Sequence, residues 1–269
     1  MADFKPDEEF IKRSKARLSS IFHEKFKQRE AAREEKLAED KVTSKIFRNL
    51  AKGDDEIAKV GEKVRQRLVD RLKQPRSKHE NALAEPRDFG AENDISGPPY
   101  DWDWTWEAQS GNATFTVSAD KTTGNISFAG STGDGGSASC ASAVGLFFQP
   151  KSTSALLQVI ASPSLSYEYD AYRFLDAVRS HAFVGVYVGE YTLKGEFVRA
   201  VIDQQISLWE ADSDVGGFSG NNSGFPLFSA GSADNDHFYE VWVWAGADIE
   251  GSGWDDVFDW SGAYAQLSF

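Results

Sequence analysis

The sequence contains one cysteine, Cys140, among 269 residues. A single cysteine excludes a disulfide within the chain, so the fold must depend on core packing. Cys140 lies in the small-residue run Ala138-Ser139-Cys140-Ala141, which is typical of a buried position. We therefore expect Cys140 to be a core residue and not a nucleophile, because no partner base is indicated.

Long apolar stretches are also missing. The chain begins Met-Ala-Asp-Phe-Lys-Pro and shows no apolar signal-peptide segment. No segment approaches the roughly 18 apolar residues that a membrane-spanning helix needs. These absences predict a soluble protein that is synthesised in the cytoplasm, with later release or association with a particle left open.

Motifs for catalysis are absent as well. The chain has no Gly-x-Ser-x-Gly elbow, and its glycine-rich stretch at Gly133–Gly136 lacks the strand–loop–helix context of a phosphate site. Glu168 and Asp170 share one face of a predicted strand, which makes a glycosidase the enzyme alternative to consider. One strand does not establish the carboxylate separation that such chemistry needs. We therefore expect a non-enzymatic protein without a cofactor.

The first 90 residues lack tryptophan and tyrosine and hold 23 Lys and Arg against 18 Asp and Glu, a net charge of +5. Residues 91–269 contain all eight Trp and all eight Tyr, and their net charge is −18. This asymmetry predicts two different physical objects. We assign a helical segment to residues 1–73, a proline-containing linker to residues 74–99, and an acidic β domain to residues 100–269.

Apolar residues recur at helical spacing in the first segment, and they predict two helices separated at Gly53. Pro6 suits the first turn of the first helix, and Pro75 ends the second. Each apolar stripe is narrow, so it must pack on another helix, on the β domain or on copies of itself. We favour assembly into a homo-oligomer or with protein partners through Phe10, Leu18, Phe22, Val60, Val64 and Leu68.

A membrane surface and nucleic acid are the other candidate partners of this segment. The phenylalanine-rich region Phe10–Phe26 carries basic residues, so an amphipathic helix lying on a membrane surface is an alternative. Nucleic acid is not expected, because the excess of basic residues is small and the β domain is acidic.

From Asp101 onwards the apolar pattern changes to period two, interrupted by Gly, Ser, Asp and Asn turns. Ten to eleven short strands follow, and they predict an antiparallel sandwich or jelly roll. The fold class is thus α+β by segregation. The Gly- and Ser-rich stretch Ala211–Asp236 is predicted to be a long loop, a common location of function.

Tryptophans are the most prominent chemical signal. Trp102, Trp104 and Trp106 form one row, and Trp242 and Trp244 form another; they either stack against sugar rings or fill the core or a subunit interface. We favour packing for these rows. Aromatic residues in turns are the better ligand-binding candidates, and we assign Trp254, Trp260, Phe218 and Phe225.

Acidic loops offer candidate calcium ligands at Asp212, Asp214, Asp234 and Asp236. No complete EF-hand spacing is present, so a bound ion is an alternative and not the expectation. The leading hypothesis is a structural or binding protein, with helices for assembly and a β head for recognition, as in a phage, virus or similar particle. A lectin-like carbohydrate-binding protein is the alternative, and a membrane-acting protein is the second alternative.

Overall fold

The structure of the protein is a computed structural model. It describes residues 6–51, 56, 59, 62, 63, 66, 97–133, 135–153, 155–161, 163–174, 178–212, 215–222, 227–251 and 260–268.

The N-terminal element is α1, which spans Glu8–Ala51. Asp7 caps it, because the Asp7 Oδ1 atom accepts a hydrogen bond of 2.7 Å from the backbone N–H of Phe10. Pro6 therefore precedes the helix and does not occupy its first turn. In the described part of the chain α1 is the one helix, so the predicted count of two helices is not matched. Most of residues 54–72, where the second helix was predicted, lie outside the described part. No helix in the described ranges is both long enough and apolar enough to cross a bilayer.

Twelve strands make up the described part of the rest of the chain. In order they are β1 (Trp102–Ser110), β2 (Ala113–Asp120), β3 (Asn125–Thr132), β4 (Ser137–Phe148), β5 (Ala155–Ala161), β6 (Leu165–Phe174), β7 (Val178–Thr192), β8 (Phe197–Ala211), β9 (Val215–Asn222), β10 (Leu227–Ala233), β11 (His237–Gly251) and β12 (Trp260–Ser268).

The strands form two five-stranded antiparallel sheets and one two-stranded sheet. Sheet A has the order β1-β4-β11-β7-β8, sheet B has the order β2-β3-β12-β6-β9, and β5 pairs with β10. The predicted antiparallel β-rich domain is therefore confirmed. The predicted loop Ala211–Asp236 is wrong in part, because it contains β9 and β10, whose backbone groups pair with β6 and β5.

Sheets A and B pack face to face over a core of alternating side chains. Phe128 of β3 and Leu267 of β12 meet Val144 of β4 and Ile249 of β11 in one buried cluster. Cys140 lies in the same cluster, and burial raises the pKa of its thiol well above the usual range. Cys140 is thus the buried core residue that its small neighbours predicted.

The two-stranded sheet covers a second part of sheet A. Leu227 of β10 packs with Val184, Val186 and Val188 of β7, which point to the same side of sheet A as the main core. The opposite side of the small sheet is exposed, including the side chain of Leu156. Apolar residues are therefore buried on one side only of β5 and β10.

Helix α1 lies on the outer side of sheet A and covers both tryptophan rows. Phe22 contacts Trp104, Trp106 and Trp244, with ring centroids 5.3–5.6 Å apart. Leu18 is buried in the same cluster as Trp102 and Trp242. The tryptophan rows therefore do not lie between the two sheets, and they are not an open platform for sugars. They form the surface on which α1 packs.

Two glycines allow the indole rings to lie close to the sheet. A Cβ atom on Gly145 would be 2.4 Å from Cζ2 of Trp102, and one on Gly185 would be 2.5 Å from Nε1 of Trp244. Any larger residue at either position would displace a tryptophan ring, because real Cβ atoms do not approach so closely. The glycines on β4 and β7 are thus part of the site that receives α1.

Polar contacts flank this apolar interface at both ends. The Ser14 hydroxyl donates to the buried carboxylate of Glu240, with Oγ 2.6 Å and 2.7 Å from its two oxygens. Farther along α1, Arg29 forms an ion pair with Asp248, and Arg33 donates to the Gly251 carbonyl over 3.3 Å. Burial lowers the pKa of Arg29 to about 10, so its guanidinium remains charged at neutral pH.

Candidate functional site

Three aromatic side chains stack near the edges of both large sheets. The rings of Tyr169 and Trp209 are 4.9 Å apart and nearly parallel, at 7°. Tyr167 lies 5.6 Å from Trp209 at an angle of 23° and 6.5 Å from Tyr169 at 18°. We call these three residues the aromatic cluster. Both tyrosines are half-buried, so part of each side chain is accessible to solvent, whereas Trp209 is buried in the main core against which both tyrosines pack.

Strand positions explain how the cluster forms. Tyr167 and Tyr169 are two residues apart on β6, so their side chains leave the same side of sheet B. Trp209 comes from β8, which is the edge strand of sheet A. Its Nε1–H donates a 3.1 Å hydrogen bond to Ser180 Oγ, and that hydroxyl donates to the Tyr264 carbonyl. The indole plane is therefore fixed by hydrogen bonds as well as by stacking.

The surroundings of Tyr169 favour its neutral hydroxyl group. Burial raises the pKa of Tyr169, and the neighbouring Tyr167 adds to this effect. The Tyr169 hydroxyl therefore remains protonated at neutral pH.

Of the four ligand-binding candidates, Phe218 is on β9, where its backbone pairs with Tyr169. Trp260 is on β12, where it pairs with Phe174. Both residues therefore lie on strands, and their predicted placement in turns is wrong. Phe225 and Trp254 lie outside the described residues, so their assignment stays a prediction. The cluster itself was not predicted, although the Tyr-x-Tyr alternation at residues 167–169 indicates two aromatic rings on one strand face.

The candidate calcium ligands have protein partners where they are described. The Asp212 Oδ1 atom lies 2.9 Å from His181 Nε2 and accepts a hydrogen bond of 3.4 Å from Arg179. Burial lowers the pKa of His181, and the opposite effect of Asp212 is smaller.

The remaining candidates are spread over the chain. Asp236 Oδ1 is 2.8 Å from His237 Nδ1, and the backbone N–H of Asp234 donates to the Tyr239 hydroxyl at 2.8 Å. Asp214 lies outside the described residues. Within the described ranges no group of three or more His, Cys, Asp or Glu side chains is close enough to hold a metal ion.

The carboxylates considered for a glycosidase differ in exposure. Asp170 is buried and Glu168 is half-buried, and they stand two residues apart on β6. Glycosidases place two carboxyl groups on either side of the scissile bond, about 5–10 Å apart. The arrangement of Glu168 and Asp170 on one strand gives no such pair across a cleft.

The candidate assembly residues fall into two groups. Phe10, Leu18 and Phe22 pack on the β domain of the same chain, and Phe10 makes edge-to-face contacts with Phe147, Tyr191 and Phe238. The sequence allowed this stripe to pack on another helix, on the β domain or on copies of itself, and in the structure it packs on the β domain. The same packing buries Phe10 and Phe26, which are therefore not available to a membrane surface in this arrangement. Val60, Val64 and Leu68 lie outside the described residues.

Neither a protein-family model nor a curated protein sequence matches this chain. Weak similarity to solved structures is found. The enzymatically active domain of tailspike protein 4 from bacteriophage CBA120 is 8% identical; the match covers 61% of this chain but 19% of that domain, with a TM-score of 0.20. TmCBM61, solved with beta-1,4-galactotriose, is 7% identical over 61% of this chain and 87% of its own, at a TM-score of 0.20.

A third solved structure, CtCBM11, is 11% identical, and the match covers 68% of this chain and 91% of that one, at a TM-score of 0.19. All three TM-scores are too low to establish a common fold. The function of this chain therefore has to be argued from its own residues.

Proposed function

We propose that the protein is a non-catalytic carbohydrate-binding protein and that the aromatic cluster of Tyr167, Tyr169 and Trp209 is its sugar-binding site. One observation carries the proposal: two half-buried tyrosine rings are held nearly parallel to a fixed, buried indole. The proposal corresponds to the lectin-like alternative from the sequence, with the site moved from the turn tryptophans to the cluster.

The chemistry of the cluster suits sugar rings. Flat aromatic faces pack against the C–H groups of a pyranose. Rigid rings reduce the entropy lost on binding, because few side-chain rotamers have to be fixed. The indole of Trp209, fixed through Ser180, supplies this rigidity.

The charge of the domain restricts the class of glycan. Residues 91–269 contain 6 Lys and Arg against 24 Asp and Glu, so the surroundings repel anionic ligands. We therefore expect neutral oligosaccharides and not sulfated or uronic-acid polymers. Stacking on aromatic rings does not require calcium. Asp212 directly follows β8, the strand that carries Trp209, and it is a candidate calcium ligand, so the binding test includes calcium.

The test is a glycan-array screen of the intact protein, with calcium and with a chelator. Tyr169→Ala should abolish selective binding to neutral glycans, whereas Tyr169→Phe should retain most of it, because stacking depends on the ring. Tyr100→Ala removes another half-buried tyrosine outside the cluster and is the matched control. Binding that survives Tyr169→Ala but is lost with Trp254→Ala or Trp260→Ala would move the site to that tryptophan, and a blank array would contradict the proposal.

The leading sequence hypothesis, a structural subunit of a phage, virus or similar particle, stays a prediction. The described contacts within one chain neither support nor contradict it. A membrane-acting role through Phe10–Phe26 is disfavoured by the burial of that stripe against sheet A.

A further inference from the structure

The C-terminal part of α1 extends beyond its contacts with the β domain. Among the described residues, Arg33 makes the last of these contacts, with the Gly251 carbonyl and with Glu250. The helix continues to Ala51, which adds 18 residues, or about 27 Å at 1.5 Å per residue. This distal half of α1, residues 34–51, has no sheet beneath it in the described part of the chain.

Two large apolar side chains are exposed on the distal half. Val42 is 62% exposed and Ile46 is 56% exposed, and their spacing of four residues puts them on one side of the helix. Val42 follows Arg33 by nine residues, so it lies about half a turn away from Arg33 around the axis. The apolar side therefore faces away from the side that contacts the β domain.

Charge is segregated along the same half. Residues 34–40 contain Glu34, Glu35, Glu39 and Asp40 against one lysine, a net charge of −3. Residues 41–51 contain Lys41, Lys45 and Arg48 and no acid, a net charge of +3. Parallel pairing of two such helices would oppose like charges, whereas antiparallel pairing centred between Val42 and Ile46 puts Asp40 of each helix opposite Arg48 of the other.

We infer that the distal half of α1 is an assembly surface for a second copy of this chain, which pairs antiparallel through Val42 and Ile46. The exposed apolar side supplies the contact, and the opposed charges select the orientation. This inference is independent of the carbohydrate site. It also moves the predicted assembly role from Phe10, Leu18 and Phe22, which pack within the chain, to positions that the chain leaves exposed.

The test begins with the mass of the full chain in solution, measured by light scattering. The protein should be a dimer or a larger oligomer, and the double substitution Val42→Asp with Ile46→Asp should shift it to the monomer. Leu156→Asp is the matched control, because Leu156 is 71% exposed but lies on β5; this variant should keep the wild-type mass. A wild type that is monomeric, or a double variant that keeps its mass, would overturn the inference.

Orientation is tested by oxidative cross-linking, which the buried Cys140 does not disturb. Lys45→Cys is near the centre of an antiparallel pair and should give a cross-linked dimer. Glu35→Cys should not, because the two sites would be about 27 Å apart, from 18 residues at 1.5 Å each. Cross-linking by both variants would indicate parallel helices and would overturn the antiparallel arrangement.

Discussion

Glu240 is on strand β11 and faces α1, where two hydroxyl groups donate to its buried carboxylate. Ser14 comes from the helix, and Tyr191 donates from β7 to Oε2 over 2.9 Å. Arg17 stands behind them and donates to the Tyr191 hydroxyl at 3.4 Å. Burial raises the pKa of Glu240 despite these donors, because desolvation outweighs their combined effect.

We predict that Glu240→Gln makes the stability of the protein less dependent on pH. A carboxyl whose pKa is raised in the folded state contributes stability that is fully present below its unfolded pKa, here 4.5. That contribution is lost as the pH rises through the raised pKa. In urea unfolding, the free energy of unfolding of the wild type relative to Glu240→Gln should therefore fall between acidic and neutral pH.

The exposed Glu196 in the turn between β7 and β8 provides the control, because Glu196→Gln removes one charge without touching the helix contact. A difference between wild type and Glu240→Gln that is equal at both pH values would contradict the role given to burial.

At the scale of elements, the packing of α1 on β11 accounts for the sequence patterns of both. Both sides of β11 are covered at this point, one by the two-stranded sheet of β5 and β10 and one by the helix, so Val241-Trp242-Val243-Trp244 is apolar on both faces. A strand with one solvated side would alternate apolar and polar residues. The helix shows the complementary pattern: its apolar stripe matches the tryptophan rows, and its remaining sides are charged.

We predict that Leu18→Ala lowers the free energy of unfolding by about 2–4 kcal/mol, since Leu18 is almost fully buried among the tryptophans. Ile21→Ala is the matched control on the neighbouring side of the helix, where Ile21 is 38% exposed. It should change stability by less than about 1 kcal/mol. Urea unfolding followed by tryptophan fluorescence measures both, and equal losses would argue against this orientation of α1.

The sequence predicted the type of most elements and the need for a partner, but not the partner. Phe10, Leu18 and Phe22 recur at helical spacing, and a stripe of that kind indicates only that some apolar surface must cover it. The strand β9 was missed because Gly216, Gly217 and Gly220 resemble turn residues, while its pairing with β6 is a tertiary effect. The aromatic cluster was missed for a related reason, since Trp209 is 40 residues from Tyr169 in sequence.

At the scale of the molecule, the basic N-terminal segment and the acidic β domain are complementary. Lys15, Arg29 and Arg33 pair with Asp103, Asp248 and Glu250 respectively across the interface between α1 and sheet A. The predicted boundary at residue 73, between the helical segment and the linker, stays a prediction. The contacts of residues 10–33 nevertheless join them physically to the strands, so we expect the helix and the sheets to unfold together.

We predict that cutting the chain between α1 and β1 leaves the two parts associated. Cleavage at a protease site inserted within residues 76–96 would break the covalent link between the N-terminal fragment and residues 97–269. The fragments should still co-elute in gel filtration, because Leu18 and Phe22 remain packed on the tryptophan rows. The same cut in a Leu18→Asp variant should release the helix. Separation of the wild-type fragments would show that the linker, and not the interface, holds the parts together.

The contact between Arg33 and the Gly251 carbonyl, 218 residues apart, also has a meaning in time. Ribosomes add about 5–20 residues per second, so the helix leaves the exit tunnel roughly 10–45 seconds before strand β11 does. During that interval its phenylalanine stripe has no finished sheet to cover, and chaperones and neighbouring nascent chains compete for it. The helix can therefore complete its native contacts with sheet A only after the late strand β11 has been translated.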